Sequence, residues 1–274
     1  MEILNTEEAK SLSASFAKDR ASFHINPFFL THCYKEERNG ETILFEEDDV
    51  VKGTFDAITV PKLKENSHNQ CYIYLFEEDI TSLKKLGAEI KTQNLLGPEY
   101  FYKTEDFVKL DGSDFSRFRK KVNRFVKDFH PVVLNEYPKE KIKQFILNWA
   151  TAKDTCNMSL LQKEIFDNET KSSLKYIDLL ETIENKTFYV EIDNQLAGFR
   201  ITCPLTSDLW CGITQKIDYK YKNLNKYLYH ISAKEYENID MFTTGGDALM
   251  PSLGQYKESM HPNNKRDFYF IVTK

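Results

Sequence analysis

The chain has 274 residues, 41% hydrophobic and 29% charged, with a formal net charge of −5 at pH 7. This composition is typical of a globular protein with a large core, and the length allows one large domain or two of about 130 residues. The mild acidity excludes a global electrostatic field for nucleic acid, so a polyanion would have to bind a local basic patch.

Cysteine usage and the N-terminus bear on the compartment. The five cysteines include no CxxC pair and are odd in number, which favours reduced thiols. The polar N-terminus MEILNTEEAK resembles no signal peptide, and no apolar run approaches the roughly 18 residues of a membrane-spanning helix. We therefore expect a soluble, cytoplasmic protein without a transmembrane segment.

The first half of the chain predicts strands followed by helices. Alternating apolar and polar residues predict strands over 41–61, and a further strand over 71–77. A short helix over 79–87 ends at a glycine. Residues 112–129 predict an amphipathic helix with a stripe of phenylalanine and valine, and Ser113 or Asp114 can cap it.

The second half has a more regular pattern. Two helices, three antiparallel strands, a helix, a strand, a short helix and a last strand are predicted in that order. A two-residue turn at Asp193–Asn194 joins the first two of these strands. The predicted ranges are 139–153 and 169–185 for the first helices, 187–193, 195–204 and 208–215 for the three strands, 223–238 for the next helix, and 239–246 and 267–273 for the last strands.

Three segments carry a resemblance to a known family. They are LDGSDFSRFRKKVNRF (110–125), NQLAGFRI (194–201) and GGDALMPSLGQYKESMHP (245–262). In this order they resemble the family grouped with the catalytic, C-terminal domain of phosphatidylglycerol lysyltransferases. Its members look like two GNAT acyltransferase folds in tandem.

The resemblance implies an architecture. It implies an α+β fold of two tandem GNAT-like domains, with a mixed, mostly antiparallel sheet flanked by helices. Residues 1–130 would form a diverged N-terminal domain, and residues 131–274 a C-terminal domain that carries the transfer site.

The resemblance also implies a function. This is aminoacyl transfer from aminoacyl-tRNA to an amine or hydroxyl on a lipid head group, a peptide or a small molecule, with tRNA as partner and no tightly bound cofactor. Two alternatives stay open: an N-acetyltransferase that uses acyl-CoA as donor, and a binding module that kept the fold without the chemistry. The six histidines show no HxH or HExxH spacing, so no metal site is predicted.

GNAT enzymes bind the pyrophosphate of their donor on a glycine-rich turn before the central helix, and residues 217–230 stand in that place. They contain no glycine, which makes close approach of backbone to a pyrophosphate harder. Lys220, Lys222 and Lys226 supply cations instead, so we predict that they contact donor phosphates. The alternative is a solvated, lysine-rich turn.

The helix over 112–129 has a strongly basic face. Five cations lie largely off its phenylalanine stripe: Arg117, Lys120, Lys121, Arg124 and Lys127. Such a face can neutralise several phosphates, or it can be a solvated surface. Lys120, Asn123 and Arg124 are the predicted substrate-binding residues, the last two because they match the family motif.

The segment 245–262 holds the predicted catalytic residues. Asp247 could hold or deprotonate an acceptor amine, Lys257 could contact a carboxylate, a phosphate or the developing oxyanion, and Tyr256 could serve as the acid. Gly245 and Gly246 would contact substrate at the mouth of a strand. The alternative is that Asp247 caps a short helix and Lys257 lies exposed at its end.

Arg200 is the remaining predicted substrate-binding residue. Alternation along its strand places it opposite the apolar residues Ala197, Phe199 and Ile201. If its face lines the cleft, Arg200 can bind a carboxylate or a phosphate. The alternative is an outward, solvated arginine.

Overall fold

A computed structural model describes most of the chain as two compact units. The described residues are 2–15, 22–32, 34–38, 41–45, 50–52, 70–85, 87–153, 155–156, 158, 160–236, 239–247 and 250–273. One unit comprises Met1–Tyr102 with Thr243–Lys274, and the other comprises Lys103–Phe242. The first unit is therefore built from two separate stretches of sequence.

The helices and strands follow one another along the whole chain. In chain order they are β1 (Glu2–Ile3), α1 (Thr6–Ser15), a 3-10 turn (Phe23–Ile25), α2 (Pro27–Leu30), β2 (Tyr34–Arg38), β3 (Glu41–Phe45), β4 (Val50–Lys52), β5 (Gln70–Phe76), α3 (Glu77–Lys85), β6 (Ile90–Lys103), α4 (Thr104–Lys109), α5 (Ser116–Phe129), β7 (Val132–Leu134), α6 (Lys139–Ala152), α7 (Leu160–Leu179), β8 (Lys186–Ile192), β9 (Gln195–Pro204), β10 (Leu209–Ile217), α8 (Leu224–Lys234), β11 (Met241–Thr243), α9 (Pro251–Glu258) and β12 (Asn264–Thr273).

Strands of the first unit pair in the order β1-β2-β3-β4-β5-β12-β6. All neighbours are antiparallel except β4 and β5, which run parallel. The last strand of the chain, β12, thus lies between β5 and β6. Of the strands predicted over 41–61, the structure has β3 and β4, and 53–61 lie outside the described residues.

Strands of the second unit pair antiparallel in the order β10-β9-β8-β7. The predicted hairpin turn between β8 and β9 is confirmed: Asp193 and Asn194 have φ of 51° and 60°, as a type I′ turn requires. Two helices, three antiparallel strands and a helix follow in the predicted GNAT-like order. The predicted α+β class, with a mixed, mostly antiparallel sheet and flanking helices, is confirmed.

The faces of β9 and β10 differ in what covers them. Arg200 of β9 lies opposite Gln215 of β10, and Phe199 lies opposite Lys216. Tyr229 of α8 packs on the Arg200 face, and Phe145 of α6 packs on the Phe199 face, with ring centroids 6.1 Å apart. This sheet is therefore covered by helices on both sides.

Several predicted helix ends differ in the structure; the helix predicted over 79–87 spans Glu77–Lys85, and the helix predicted over 223–238 spans Leu224–Lys234. The helix α5 begins after Phe115 instead of at a Ser113 or Asp114 cap. The Phe115 ring is buried, with its centroid 5.5 Å from that of the Phe107 ring, and this packing draws the first turn inward. The helix predicted over 169–185 begins earlier, at Leu160, and ends at Leu179. Residues 160–168 contain no glycine or proline, and most of them are good helix formers.

The two compact units do not follow the boundary predicted after residue 130. Contacts of β12 with β5 and β6 place the end of the chain with its beginning. The division into a diverged domain over 1–130 and a catalytic domain over 131–274 stays a prediction.

Candidate functional site

In the first unit, the side chain of Lys257 organises the irregular segment that follows β11. Its ammonium donates hydrogen bonds to three consecutive backbone carbonyls, of Thr244 at 2.7 Å, Gly245 at 2.9 Å and Gly246 at 2.6 Å. Because an ammonium has three N–H groups, these bonds use its full donor capacity. The side chain is 4% exposed, so the alternative of an exposed lysine at a helix end is wrong.

Asp247 follows directly on these three residues and is buried. Its carboxylate accepts a hydrogen bond from the Tyr100 hydroxyl at 2.9 Å. Burial, and then the Asp247 carboxylate, raise the pKa of Tyr100, so this phenol stays protonated. A Cβ added at Gly254 of α9 would lie 2.8 Å from the carboxylate, so Asp247 packs directly on helix backbone. The aspartate is thus held in place by a strand, a helix and the segment before it.

The two glycines of this segment are explained by packing. Gly245 has φ of 68°, and a Cβ there would lie 3.0 Å from the ring of Phe23. A Cβ at Gly246 would lie 2.8 Å from the ring of Phe268. Both residues therefore lie close to aromatic rings, and their predicted contact with substrate stays a prediction.

Tyr256, the third predicted catalytic residue, precedes Lys257 on α9. Its side chain is half-buried. This helix begins at Pro251. Its N-cap residue is Met250 and not Asp247, and the Met250 side chain makes no capping hydrogen bond. The structure therefore brings Asp247 and Lys257 into one buried cluster, and their catalytic roles, like that of Tyr256, stay predictions.

Glu99 of β6 belongs to the same cluster, and sequence reasoning missed it. Its Oε1 accepts hydrogen bonds from the Phe23 backbone N–H at 2.7 Å and from the Thr243 hydroxyl at 2.6 Å. The Thr243 hydroxyl in turn accepts from the Gly245 N–H at 3.2 Å. Burial raises the pKa of Glu99, and the hydrogen bonds to its carboxylate oppose that shift only in part. The available signal was an acid within an aromatic strand, GPEYFY.

In the second unit, Arg200 is buried on β9. It is 2% exposed, so the solvated alternative is wrong. Its Nη1 donates to Gln215 Oε1 at 3.0 Å, and its guanidinium lies 4.1 Å from the centroid of the Tyr229 ring. Burial alone would lower the pKa of Arg200. The interactions of its guanidinium with Tyr229 and Tyr236 together raise the pKa by more, so the buried guanidinium stays charged.

Of the three lysines predicted to contact donor phosphates, Lys226 has the most unusual environment. It lies in the first turn of α8, 7% exposed, with its Nζ 4.5 Å from the centroid of the Phe118 ring. Burial, and then the nearby Lys121, lower the pKa of Lys226 to about 8. Lys222 is exposed, and Lys220 pairs with Asp218 at 3.0 Å.

The predicted basic face of α5 is exposed in the structure. Phe118, Val122 and Phe125 of this helix are buried, as its periodicity predicted. Its exposed polar residues are Arg117, Lys120, Lys121, Asn123, Arg124, Lys127 and Asp128. Arg124 makes an ion pair with Asp128 at 3.1 Å, and both side chains stay largely solvated. Such a pair contributes little to stability and leaves the arginine available to a ligand.

Lys216 of β10 is a buried cation that sequence reasoning missed. It forms an ion pair with Glu169, and its Nζ lies 4.1 Å from the centroid of the Trp149 ring. Trp149 donates a hydrogen bond from Nε1 to the Tyr219 hydroxyl at 3.2 Å. A lysine between glutamine and isoleucine in a strand gave no sign of burial, because alternation alone leaves open which face is covered.

The described part of the chain has neither a cluster of metal ligands nor a membrane-spanning helix. Among those residues, no group of three or more histidine, cysteine, aspartate or glutamate side chains could hold a metal ion. None of the described helices is long and apolar enough to cross a membrane.

The mixed, mostly antiparallel sheet and flanking helices define an α+β protein whose elements follow a GNAT-like order. The chain belongs to the family described as phosphatidylglycerol lysyltransferase, C-terminal, whose model matches residues 59–271. The family and the fold are those of acyl- and aminoacyltransferases in general. The resemblance inferred from the three sequence segments is thereby confirmed.

Solved structures of similar fold extend over the whole chain. A conserved protein of unknown function from Bacteroides thetaiotaomicron VPI-5482 has a TM-score of 0.84 at 15% identity, over 100% of this chain and 99% of that chain. L-PGS from Bacillus licheniformis has a TM-score of 0.68 at 14% identity, over 98% of this chain and 92% of that chain. At such identities the likeness shows the fold alone. No curated protein matches the sequence.

Proposed function

We propose that the protein transfers an aminoacyl group from aminoacyl-tRNA to an amine or hydroxyl acceptor. The acceptor is a lipid head group, a peptide or a small molecule. Membership of the lysyltransferase family supports this class of reaction. The donor is free aminoacyl-tRNA, without a tightly bound cofactor.

The observation that carries the proposal is the concentration of positive charge where α5 and α8 meet. The two helices pack through Phe125 and Tyr227, with ring centroids 5.0 Å apart, and Lys121 of α5 lies near enough to Lys226 of α8 to lower its pKa. Like charges at such close range repel, and a bound polyanion relieves the repulsion. A tRNA acceptor end supplies such a polyanion.

The reaction itself needs few groups. The acceptor nitrogen or oxygen forms a bond to the ester carbonyl carbon, the bond from that carbon to the tRNA 3′ oxygen breaks, and the acceptor proton ends on the 3′ hydroxyl. We propose that Asp247 takes the proton from the acceptor and that Tyr256 donates its hydroxyl proton to the leaving oxygen, after which the proton on Asp247 passes through solvent to restore the Tyr256 hydroxyl. Since the ammonium of Lys257 is already bound to three carbonyls, we assign it the role of positioning Asp247.

Binding of aminoacyl-tRNA tests the proposal directly. We expect Arg124→Ala and Lys121→Ala each to weaken binding by roughly 3- to 10-fold at moderate salt, and to reduce the slope of log affinity against log salt by about 1. Lys141→Ala removes an exposed lysine from α6 and is the matched control, with binding unchanged. Filter binding or fluorescence anisotropy at several salt concentrations measures both quantities.

Two outcomes would favour the alternatives. Thermal stabilisation by coenzyme A thioesters, without stabilisation by aminoacyl-tRNA, would contradict the proposed donor and favour the N-acetyltransferase. Salt-dependent tRNA binding without aminoacyl transfer to any amine or hydroxyl acceptor would favour the binding module.

Lys226 predicts a pH dependence of donor binding. Since its pKa is lowered to about 8, the ammonium is charged below that pH and neutral above it. We expect the affinity for tRNA to fall as the pH rises through about 8, and this fall to be absent in Lys226→Met. The same pH series on Lys222→Met, which removes an exposed lysine of the same turn, is the control. An equal pH response in wild type and Lys226→Met would contradict the assignment.

A further inference from the structure

The turn between β10 and α8 alternates tyrosine with lysine. Its sequence is DYKYK over 218–222, within the second unit. Tyr219 is 54% exposed, and Tyr221 is half-buried. The two residues are two positions apart, so their Cα atoms lie within ~7 Å of each other. Two aromatic side chains thus accompany the lysines that we assign to donor phosphates.

The Tyr219 ring is held in place although it is exposed. Its hydroxyl accepts a hydrogen bond from Trp149 Nε1 at 3.2 Å, and the Trp149 side chain is half-buried on α6. The ammonium of the buried Lys216 lies 4.1 Å from the centroid of the Trp149 ring and packs on the indole. A ring that is already ordered loses little conformational entropy when a ligand stacks on it.

Tyr221 connects the turn to the basic face of α5. Its ring packs edge-on against Phe129, the last residue of α5, with ring centroids 5.3 Å apart. Arg124 and Lys127 are exposed in the second half of the same helix. The Nζ of Lys220 lies 4.7 Å from the centroid of the Tyr221 ring, and this lysine side chain is 58% exposed. Exposed cations and aromatic rings are therefore neighbours at this end of α5.

Aromatic rings among cations are the features with which proteins bind single-stranded nucleic acid. Bases stack on the rings, and the cations contact the phosphates of the same strand. A base inside a duplex is covered on both faces by its neighbours, so RNA is read by stacking where its bases are unpaired. Cations alone bind the phosphates of duplex and single strand alike. The tyrosines therefore add a preference that a basic helix face does not have.

We propose that Tyr219 and Tyr221 form a stacking site for the unpaired bases at the 3′ end of the donor tRNA. This inference rests on the proposed function and specifies which part of the donor the protein binds. A tRNA ends in a short unpaired 3′ segment, which carries the aminoacyl ester and follows the paired acceptor stem. Lys220 and Lys222 contact phosphates of this segment, and the exposed cations of α5 contact phosphates further along the RNA.

Coenzyme A shares part of this chemistry, because it also carries an adenine and phosphates. It has a single base, however, and can occupy only one of the two rings. Two tyrosines within ~7 Å of each other suit consecutive bases of one strand, which favours RNA over coenzyme A.

Binding of two uncharged RNA hairpins tests the site with the full chain. Both copy an acceptor stem, and one ends in unpaired ACCA, whereas the other has abasic sugars in place of those bases. The two hairpins carry the same phosphates, so a difference in affinity reports the bases. We expect the ACCA hairpin to bind more tightly by about tenfold or more. Fluorescence anisotropy at fixed salt measures both affinities.

Variants test the two rings without removing a charge. We expect Tyr219→Leu and Tyr221→Leu each to weaken binding of the ACCA hairpin by about 5-fold or more, with the abasic hairpin and the salt slope unchanged. Tyr219→Trp keeps a ring and should bind like the wild type. Tyr137→Leu makes the same change at a half-buried tyrosine before α6 and is the control. If Tyr221→Leu does not fold, the exposed Tyr219 and the wild-type comparison decide the matter.

The outcomes separate the stacking site from the proposed donor. Equal affinity for the two hairpins, or unchanged binding of the ACCA hairpin in Tyr219→Leu, would overturn the stacking site and leave the proposed donor standing. Coenzyme A that displaces the ACCA hairpin from the wild type and binds more weakly to Tyr219→Leu would overturn the assignment to RNA. Binding of neither hairpin would contradict the proposed donor and the stacking site together.

Discussion

Replacing Lys257 by methionine is expected to lower the free energy of unfolding by about 3–5 kcal/mol. The carbonyls of Thr244, Gly245 and Gly246 would lose a charged donor together, and each buried carbonyl left unsatisfied costs ~1–3 kcal/mol. Methionine keeps the aliphatic stem and its packing, so the measured loss reports the ammonium. Urea unfolding of the purified variant, followed by circular dichroism, measures it.

Lys265→Met is the matched control for this change. Lys265 pairs with Glu258 at 2.7 Å, but both side chains are 47% exposed. Such surface pairs contribute ~0–1 kcal/mol, so the control should remain close to wild type. A loss below about 1 kcal/mol in Lys257→Met would show that the three carbonyls find other partners, and the positioning role would be wrong.

Glu99→Gln is expected to change how stability depends on pH. The pKa of Glu99 is raised in the folded protein, mainly by burial, above its value in the unfolded chain of about 4.3. The stability that the neutral acid contributes is therefore fully present below pH ~4.3 and is lost as the pH rises through the folded-state pKa. In that window the wild type should lose up to ~1.4 kcal/mol per pH unit relative to Glu99→Gln.

Urea unfolding at several pH values, on the wild type and the variant, measures this difference. Glutamine keeps an acceptor for the Phe23 N–H and the Thr243 hydroxyl, so the buried network stays closed. Glu140→Gln removes an exposed carboxylate from α6 and serves as the control. A constant difference between wild type and Glu99→Gln across the pH range would contradict a raised pKa for Glu99.

Periodicity predicted much of the second unit, because the signal is local. The helices α5, α6 and α8, the strands β8 to β10 and the turn at Asp193–Asn194 were all read from residues close in sequence. The alternation along β9 placed Arg200 opposite the apolar face. Local patterns could not show that a helix covers that second face as well.

The polar clusters were harder to predict, because their partners lie far apart in sequence. Glu99 and Thr243 are 144 positions apart, and Tyr100 and Asp247 are 147 apart. Lys257 matched a family motif, yet its bonds to three backbone carbonyls depend on how the segment before it folds. Sequence therefore indicated which charged residues matter, and the structure gave their partners.

The position of β12 has a consequence for the order in which the chain folds during synthesis. This strand pairs with both β5 and β6, so the sheet of the first unit stays incomplete until β12 has been synthesised. Lys103–Phe242 is one uninterrupted stretch and can fold as soon as it has been made. At a synthesis rate of ~5–20 residues per second, the N-terminal strands remain without their β12 partner for seconds, and the edge of their sheet is unpaired during that time. We therefore expect the early-made strands to be the part of the protein that most needs chaperones.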